Sequence, residues 1–307
     1  MLLLTIKNGV NKKKKIHSDG VFTVVNYIIL FMIFIIVAYP LVYVISASFS
    51  SSDAIIQGRV KLLPVDFSLA GYEAVFSNKS VWMGYANSFF YMIVGTTLNV
   101  ITTIMIAYPL TRKDLIGRKL VIGMLLFTML FNAGLIPNYL TIDYLGLMDK
   151  RLVMILPKLL NPFNVIITMT YFKQTIPKEL LEASIIDGCD NFKFITKIVV
   201  PLSKSIIAVI SLYYAVAHWN AYFDAMLYLK SVALRPLQLV LRDILIQNQM
   251  SAEMMSTMDP DSLQVQENLA VLLKYSLIII ASIPLMILYP FVQKHFVKGV
   301  MIGSVKG

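Results

Sequence analysis

FTVVNYIILFMIFIIVAYPLVYVISA, residues 22–47, carries no charge from end to end. It exceeds the roughly 20 apolar residues that cross a bilayer and the 7–15 of a secretion signal's core. The basic run Lys12 to Lys15 precedes it, as a charged start precedes a signal peptide. No small-residue cleavage site is evident, so the sequence predicts an uncleaved span. Five more runs of similar character follow at 86–110, 119–137, 151–172, 201–220 and 270–292. Pro40, Pro109, Pro157, Pro162 and Pro284 fall in or at the ends of these runs. Membrane helices tolerate proline when neighbouring groups satisfy the freed carbonyls.

Composition closes off the soluble alternatives. The chain is 58% hydrophobic and 14% charged, whereas soluble domains carry about 25% charge. The formal net charge of +10 would suit nucleic acid if the cations gathered in a groove. They sit instead in short runs beside apolar segments, which is an orientation signal, so no nucleic-acid partner is expected. The one Cys excludes an internal disulfide. His17, His218 and His295 are too scattered to suggest a metal set, and no Gly-Lys dipeptide permits a P-loop. Paired carboxylates or an activated nucleophile at one depth are also lacking, so no catalytic residue and no cofactor is expected in this chain.

With the N-terminus placed inside, the inner segments 1–21, 111–118, 173–200 and 293–307 hold about three times the Lys and Arg density of the outer ones. The expected organisation is a cytoplasmic segment 1–21, a six-helix membrane domain 22–292 and a cytoplasmic tail 293–307. MSTMDPDSLQVQEN at 255–268 reads as an exposed loop before the last span.

The inner segment 173–200 contains ELLEASIIDGCDNFKFITKIVVP at 179–201. Pro177 suits a first helical turn, and Glu179 and Glu182 suit a helix N-terminal end. Gly188 suits a C-terminal stop, and Asp190 a cap for a second short helix toward Lys197. Two short helices around a Gly pivot are expected. On physics alone this is either an interfacial connector or a docking element. Cys189 reads as a small apolar residue beside the pivot.

Glu182-Ala183-Ser184, three residues, Gly188, nine residues, Ile198 and then Pro201 resembles the EAA loop of the membrane subunits of binding-protein-dependent ABC importers. Ser184 stands where that loop has Ala, and Val200 where it has Leu. Asp187 is similar to the carbohydrate branch. WNAYFDAMLYL (219–229) resembles sugar permeases, and FVKGVMIGSVKG (296–307) the tail of maltose-permease-like subunits. FNAGLIP (131–137) and RPLQLVLRDIL (235–245) resemble the LplC-like complex-oligosaccharide subgroup.

The resemblance implies an all-α integral membrane permease that couples through Glu179, Glu182, Ala183, Ser184, Asp187, Gly188, Ile198 and Pro201 to a separate ATPase. That partner would hold the ATP and Mg. It also implies a second permease subunit, two ATPase copies, an extracellular solute-binding protein, an oligosaccharide substrate and a bacterial cell membrane location. The tail 296–307 would pack between the ATPase subunits.

Two polar stripes are candidates for the substrate pathway. Lys158, Asn161, Asn164, Thr168 and Tyr171 recur at helical spacing in span four, and Ser211, Tyr214, His218 and Tyr222 in span five, with Trp219 and Asn220 adjoining. Such residues either face a wet cavity, where hydroxyl, amide and aromatic groups suit a sugar, or bond neighbouring helices. The rival class is a secondary transporter or channel for a small polar solute. Those carriers keep carboxylates or His inside the bundle, and here the central spans are nearly free of acids.

Overall fold

A computed structural model describes residues 12–254 and 260–304, with side chains described for 20–247 and 268–290. In chain order the helices are α1 (Lys12–Ser48), α2 (Ser52–Ile56), α3 (Ala70–Phe76), α4 (Lys79–Ala107), α5 (Arg118–Leu130), α6 (Leu135–Tyr144) and α7 (Pro162–Thr175). They continue with α8 (Lys178–Ile186), α9 (Asn191–Phe194), α10 (Val200–Leu202), α11 (Lys204–Trp219), α12 (Tyr222–Tyr228), α13 (Leu237–Met254) and α14 (Pro260–Ser304). No strand occurs among the described residues.

Three uninterrupted stretches are long and apolar enough to span: Gly20–Ser48, Lys79–Thr111 and Asn268–Pro290. Three bent pairs bring the total to six where each pair counts as one span. Spans one, two and six therefore run as helices, each longer than its apolar run. Pro40, Pro284 and Pro290 sit inside them without ending them.

Spans three to five differ from the sequence expectation, each for a local reason. The run 119–137 is broken after Leu130, and α6 leaves α5 at 119°. The Asn132 side chain accepts from the Gly134 N–H at 3.0 Å, and Gly134 has φ +85°, a conformation that favours glycine. The run 151–172 begins as two 3₁₀ turns, Arg151–Met154 and Leu156–Lys158, and becomes α-helical at Pro162, with a 51° bend. Pro157 and Pro162 each remove a donor that a continuous helix needs. In span five, α11 starts only at Lys204, at 87° to the segment before Ser203. Lys158 and Asn161 thus precede α7, and the five-residue stripe expected on span four is not one helical face.

Residues 260–268, expected in an exposed loop, are the first turns of α14; 255–259 lie outside the described residues. Pro260 supplies the preset φ of a first helical position. In the tail the backbone of α14 runs through Ser304, while the tail's side chains, residues 305–307 and residues 1–11 lie outside the described ones.

The bundle forms around α4, which packs on α11, α13 and α7, while α14 packs on α13, α3, α11 and α1. One core, near α8, gathers Ile104, Leu110, Val165, Phe172, Phe194 and Ile210. Another joins α4, α11, α13 and α14 through Met92, Trp219, Leu237, Leu273 and Ile280. A third lies between α4, α6 and α12, around Tyr91, Ile142 and Ala225. Most of the α1 span is exposed until Tyr43 meets Tyr275 edge-on and Ala47 is covered. A helix apolar on all sides and bare of protein needs lipid or another apolar chain around it.

At the end of the bundle away from α8, Asp149 ties two turns together. Its carboxylate accepts from the N–H groups of Lys230 and Ser231 at 2.9 and 2.8 Å and from the Ser231 hydroxyl at 2.5 Å. The Ser231 hydroxyl is the main reason its pKa lies below the ordinary 3.8, with the backbone donors adding to it. A depressed carboxylate contributes stability fully above its unfolded pKa and loses it as pH falls through the folded value. We expect the 229–235 turn of the wild type to loosen below about pH 4. Asp149→Ala should show the same rise in hydrogen exchange at pH 7, and equal exchange in both proteins would refute the tether.

Candidate functional site

The two short helices expected around Gly188 within 173–200 form, spanning 178–202, with Pro177 at the N-cap of α8, one position before the first turn. Leu181 and Ser184 turn toward the α8-end core, while Glu179, Glu182, Ala183 and Asp187 are exposed. The Ser184 hydroxyl donates to the Leu181 carbonyl at 2.7 Å. Serine in place of alanine at this covered position therefore leaves no unpaired polar atom.

Gly188 ends α8 at φ +68°. The Gly188 N–H donates to the Ile185 carbonyl at 3.0 Å and the Cys189 N–H to the Ser184 carbonyl at 2.9 Å. This pair of bonds is the Schellman closure, with glycine at the left-handed position. Cys189 packs on the core, in keeping with an apolar role. The Asp190 carboxylate then accepts from the Lys193 N–H at 2.6 Å and starts α9. Phe194 is buried under Tyr108, and a π turn at Ile195–Val199 leads to α10. Ile198 is half-buried and Pro201 exposed.

Arg112 anchors the second arm from the turn before α5. It donates to Asn191 at 2.8 Å and pairs with Asp114 at 2.7 Å, whose carboxyl it holds below the ordinary range.

Sequence reading missed the apolar surface of this element. Ile185, Ile186 and Phe192 stand in the open, Ile186 at 86% exposure. These residues flank Gly188, and their signal was three bulky apolar side chains in a segment otherwise rich in charge. An exposed apolar patch of this kind marks an interaction surface.

The residues singled out on spans four and five come together with α4. The Tyr214 hydroxyl meets the Thr103 hydroxyl at 2.8 Å and accepts from the Asn161 N–H at 3.2 Å. His218 Nε2 lies 2.8 Å from Asn99 Oδ1. The Asn99 amide donates to the Lys158 carbonyl, which leaves its oxygen for the imidazole, so Nε2 carries the proton. Lys158 itself pairs with Asp224. The Trp219 indole donates to the Ala281 carbonyl at 3.0 Å.

Tyr214, His218 and Trp219 are buried, and the Tyr214 hydroxyl, His218 Nε2 and Trp219 indole N–H are taken up by neighbouring segments. Asn164 and Thr168 are buried too; Thr168 donates to the Asn164 carbonyl, and the Asn161 side chain caps α7 by accepting from the Asn164 N–H. Ser211 is half-buried at a cleft of about 240 Å³ shared with Met92 and Thr96. Asn161, Asn220 and Tyr222 are exposed. Lys158 and Asp224 line a larger cavity of about 410 Å³ with Asn138, Thr141 and Tyr228. Asn99 and Thr103 were not singled out from the sequence, although polar residues four apart within an apolar run are a signal for this bonding.

No group of three His, Cys, Asp or Glu residues that could hold a metal occurs among the described residues. The geometry offers a helix–turn–helix presented outside a bent-helix bundle.

No protein-family profile matches the chain. It is 40% identical over 290 residues to the polygalacturonan/rhamnogalacturonan transport system permease protein YtcP of Bacillus subtilis (strain 168), covering 94% of this chain and 100% of that protein. It is 39% identical to protein LplC of the same organism, over 94% and 96% of the two chains. A crystal structure of a bacterial ABC transporter involved in the import of the acidic polysaccharide alginate matches with a TM-score of 0.81 and 32% identity, over 96% of this chain and 100% of that one. The chain belongs to the permease subunits of ABC importers. Such a permease works with a solute-binding protein, an ATPase and a second permease.

Proposed function

We propose that this chain forms one wall of a pathway for a carboxylated oligosaccharide. The observation that carries this reading is full-length similarity both to a polygalacturonan/rhamnogalacturonan permease and to an alginate importer subunit. The Lys158 ammonium lines the 410 Å³ cavity paired with Asp224, and an acidic sugar there would compete with that carboxylate for it. The partners are a second, homologous permease subunit, two ATPase copies that bind ATP and Mg, and an extracellular solute-binding protein. Glu179, Glu182, Ala183, Ser184, Asp187, Gly188, Ile198 and Pro201 form the element that couples to the ATPase. Both termini face the cytoplasm of a bacterial cell, as the Lys and Arg bias supports.

Within the pathway, Asn161, Ser211, Asn220 and Tyr222 are the residues with surface left for a ligand. Tyr214 and His218 hold α11 against α4. The test uses the assembled importer in liposomes with its binding protein. Oligogalacturonides should stimulate ATP hydrolysis and neutral malto-oligosaccharides should not; the reverse order would overturn the substrate class. Tyr222→Ala should lower sugar stimulation with assembly intact. His218→Ala should lower assembly, because a buried group left without its partner costs about 1–3 kcal/mol. A loss confined to sugar response in His218→Ala would move that residue back to the pathway wall.

A further inference from the structure

We propose that the groove between α8 and the adjoining ends of α4, α5 and α7 binds the phosphate headgroup of an anionic phospholipid from the leaflet at that end of the bundle. The groove encloses about 480 Å³. Lys113, Arg118, Lys173 and Lys178 converge on it from four different segments. Arg112 also lines it, but Arg112 is taken up by Asp114 and Asn191. Lys113, Lys173 and Lys178 form no ion pair among the described residues, and Glu182 is the only acid on the groove besides the paired Asp114. Cations gathered this way repel one another until an anion enters, and a phosphate oxygen cluster accepts several such donors at once.

Position and lining select a lipid over free phosphate. The groove opens where two spanning stretches end, beside Thr111 and Lys173. Phe172, Ile176 and Leu181 give it an apolar wall suited to glycerol and the first acyl carbons. Next to Lys113 the turn before α5 presents Leu115 and Ile116, Ile116 at 97% exposure. A bare isoleucine between cations in a turn suits the boundary between headgroups and acyl chains. Basic pockets between spans at a membrane surface are the usual setting for anionic headgroups. The groove shares α8, and Glu182 on it, with the proposed coupling element, while Lys113 and Lys173 come from other segments.

The test is native mass spectrometry of the purified importer, reading lipid retained on this chain. The probes are dioleoylphosphatidylglycerol, dioleoylphosphatidylcholine and inorganic phosphate. Wild type and the distant control Lys150→Gln should retain phosphatidylglycerol but not phosphatidylcholine. Lys113→Gln with Lys173→Gln should lower retention about tenfold or more, since each cation near a membrane surface contributes several-fold to anionic lipid binding. Equal retention in the double variant, or equal retention of phosphatidylcholine, overturns the proposal. Displacement of phosphatidylglycerol by millimolar phosphate assigns the site to the free ion and also overturns it. If the double variant fails to assemble, Lys113→Arg with Lys173→Arg keeps the charge and should retain the lipid; loss there counts against the site.

Discussion

Gly95→Val should leave little folded permease in the membrane. A Cβ at Gly95 would lie 2.4 Å from His218 Nε2 and 2.6 Å from its Cε1, closer than real Cβ contacts come. The ring cannot swing aside at low cost. It is buried, and Nε2 is committed to Asn99, which is committed in turn to the Lys158 carbonyl. Relief has to come from separating α4 from α11, and that pulls on the Thr103–Tyr214 bond two turns further along α4. Overpacking a fitted site costs about 1–3 kcal/mol, and each buried polar group left unpaired a further ~1–3 kcal/mol. Together these are a large fraction of the 5–15 kcal/mol that typical folded proteins hold in reserve. The readout is the yield and melting temperature of detergent-extracted protein. Gly20→Ala, where nothing lies within 4 Å, is the control expected to match wild type. Adding His218→Ala to Gly95→Ala should recover part of the loss, because it removes the ring that the new methyl strikes. Wild-type yield and melting for Gly95→Val would show that α4 and α11 do not approach this closely.

The two halves of the site differ in how far the sequence discloses them. The 178–202 element is written locally. Gly188 and Asp190 act on backbone groups within a few residues of themselves, so spacing alone anticipates the turn and the second helix. The α4–α11 contact is not local: Gly95 and His218 are far apart in the chain, and nothing near either residue indicates the other. The bends in spans three to five lie between these cases. Hydropathy stays high from Leu130 to Pro137 although the chain turns by 119° there, so a composition window records one span where there are two helices. Gly134 marks the break, but only its left-handed φ, seen in the structure, separates it from a glycine tolerated inside a helix. Pro157 and Pro162 were legible as prolines. Their effect was not, because Pro40 and Pro284 interrupt nothing. The neighbouring residue makes the difference. Pro162 comes directly after Asn161, which caps a new helix with its side chain, whereas no such cap accompanies Pro40.

Gly188→Trp should sharply lower transport while leaving the subunit in the membrane. Within this chain the substitution meets open space, since a Cβ there has nothing within 4 Å. The intramolecular cost is confined to the backbone: φ +68° is strained for an L-residue by about 1–2 kcal/mol, which an otherwise intact bundle withstands. The larger consequence falls on whatever covers this surface. Gly188 lies between Ile185–Ile186 and Phe192, the exposed apolar side chains of the two arms, and an indole there would hold a docking groove away from all three. Loss of a buried apolar anchor at an interface costs about 2 kcal/mol or more, roughly thirtyfold in affinity. Uptake should therefore fall by more than about tenfold. Gly188→Asn separates the two contributions. Asparagine tolerates the left-handed region and adds little bulk, so it should keep most transport if docking is at stake. Ile186→Asp tests the same surface with no change at the turn. It should weaken ATPase co-purification while membrane levels hold, because a carboxylate would have to be buried unpaired at the contact. Transport at wild-type rates in Gly188→Trp, with ATPase recovered normally from Ile186→Asp, would remove this element from the coupling path.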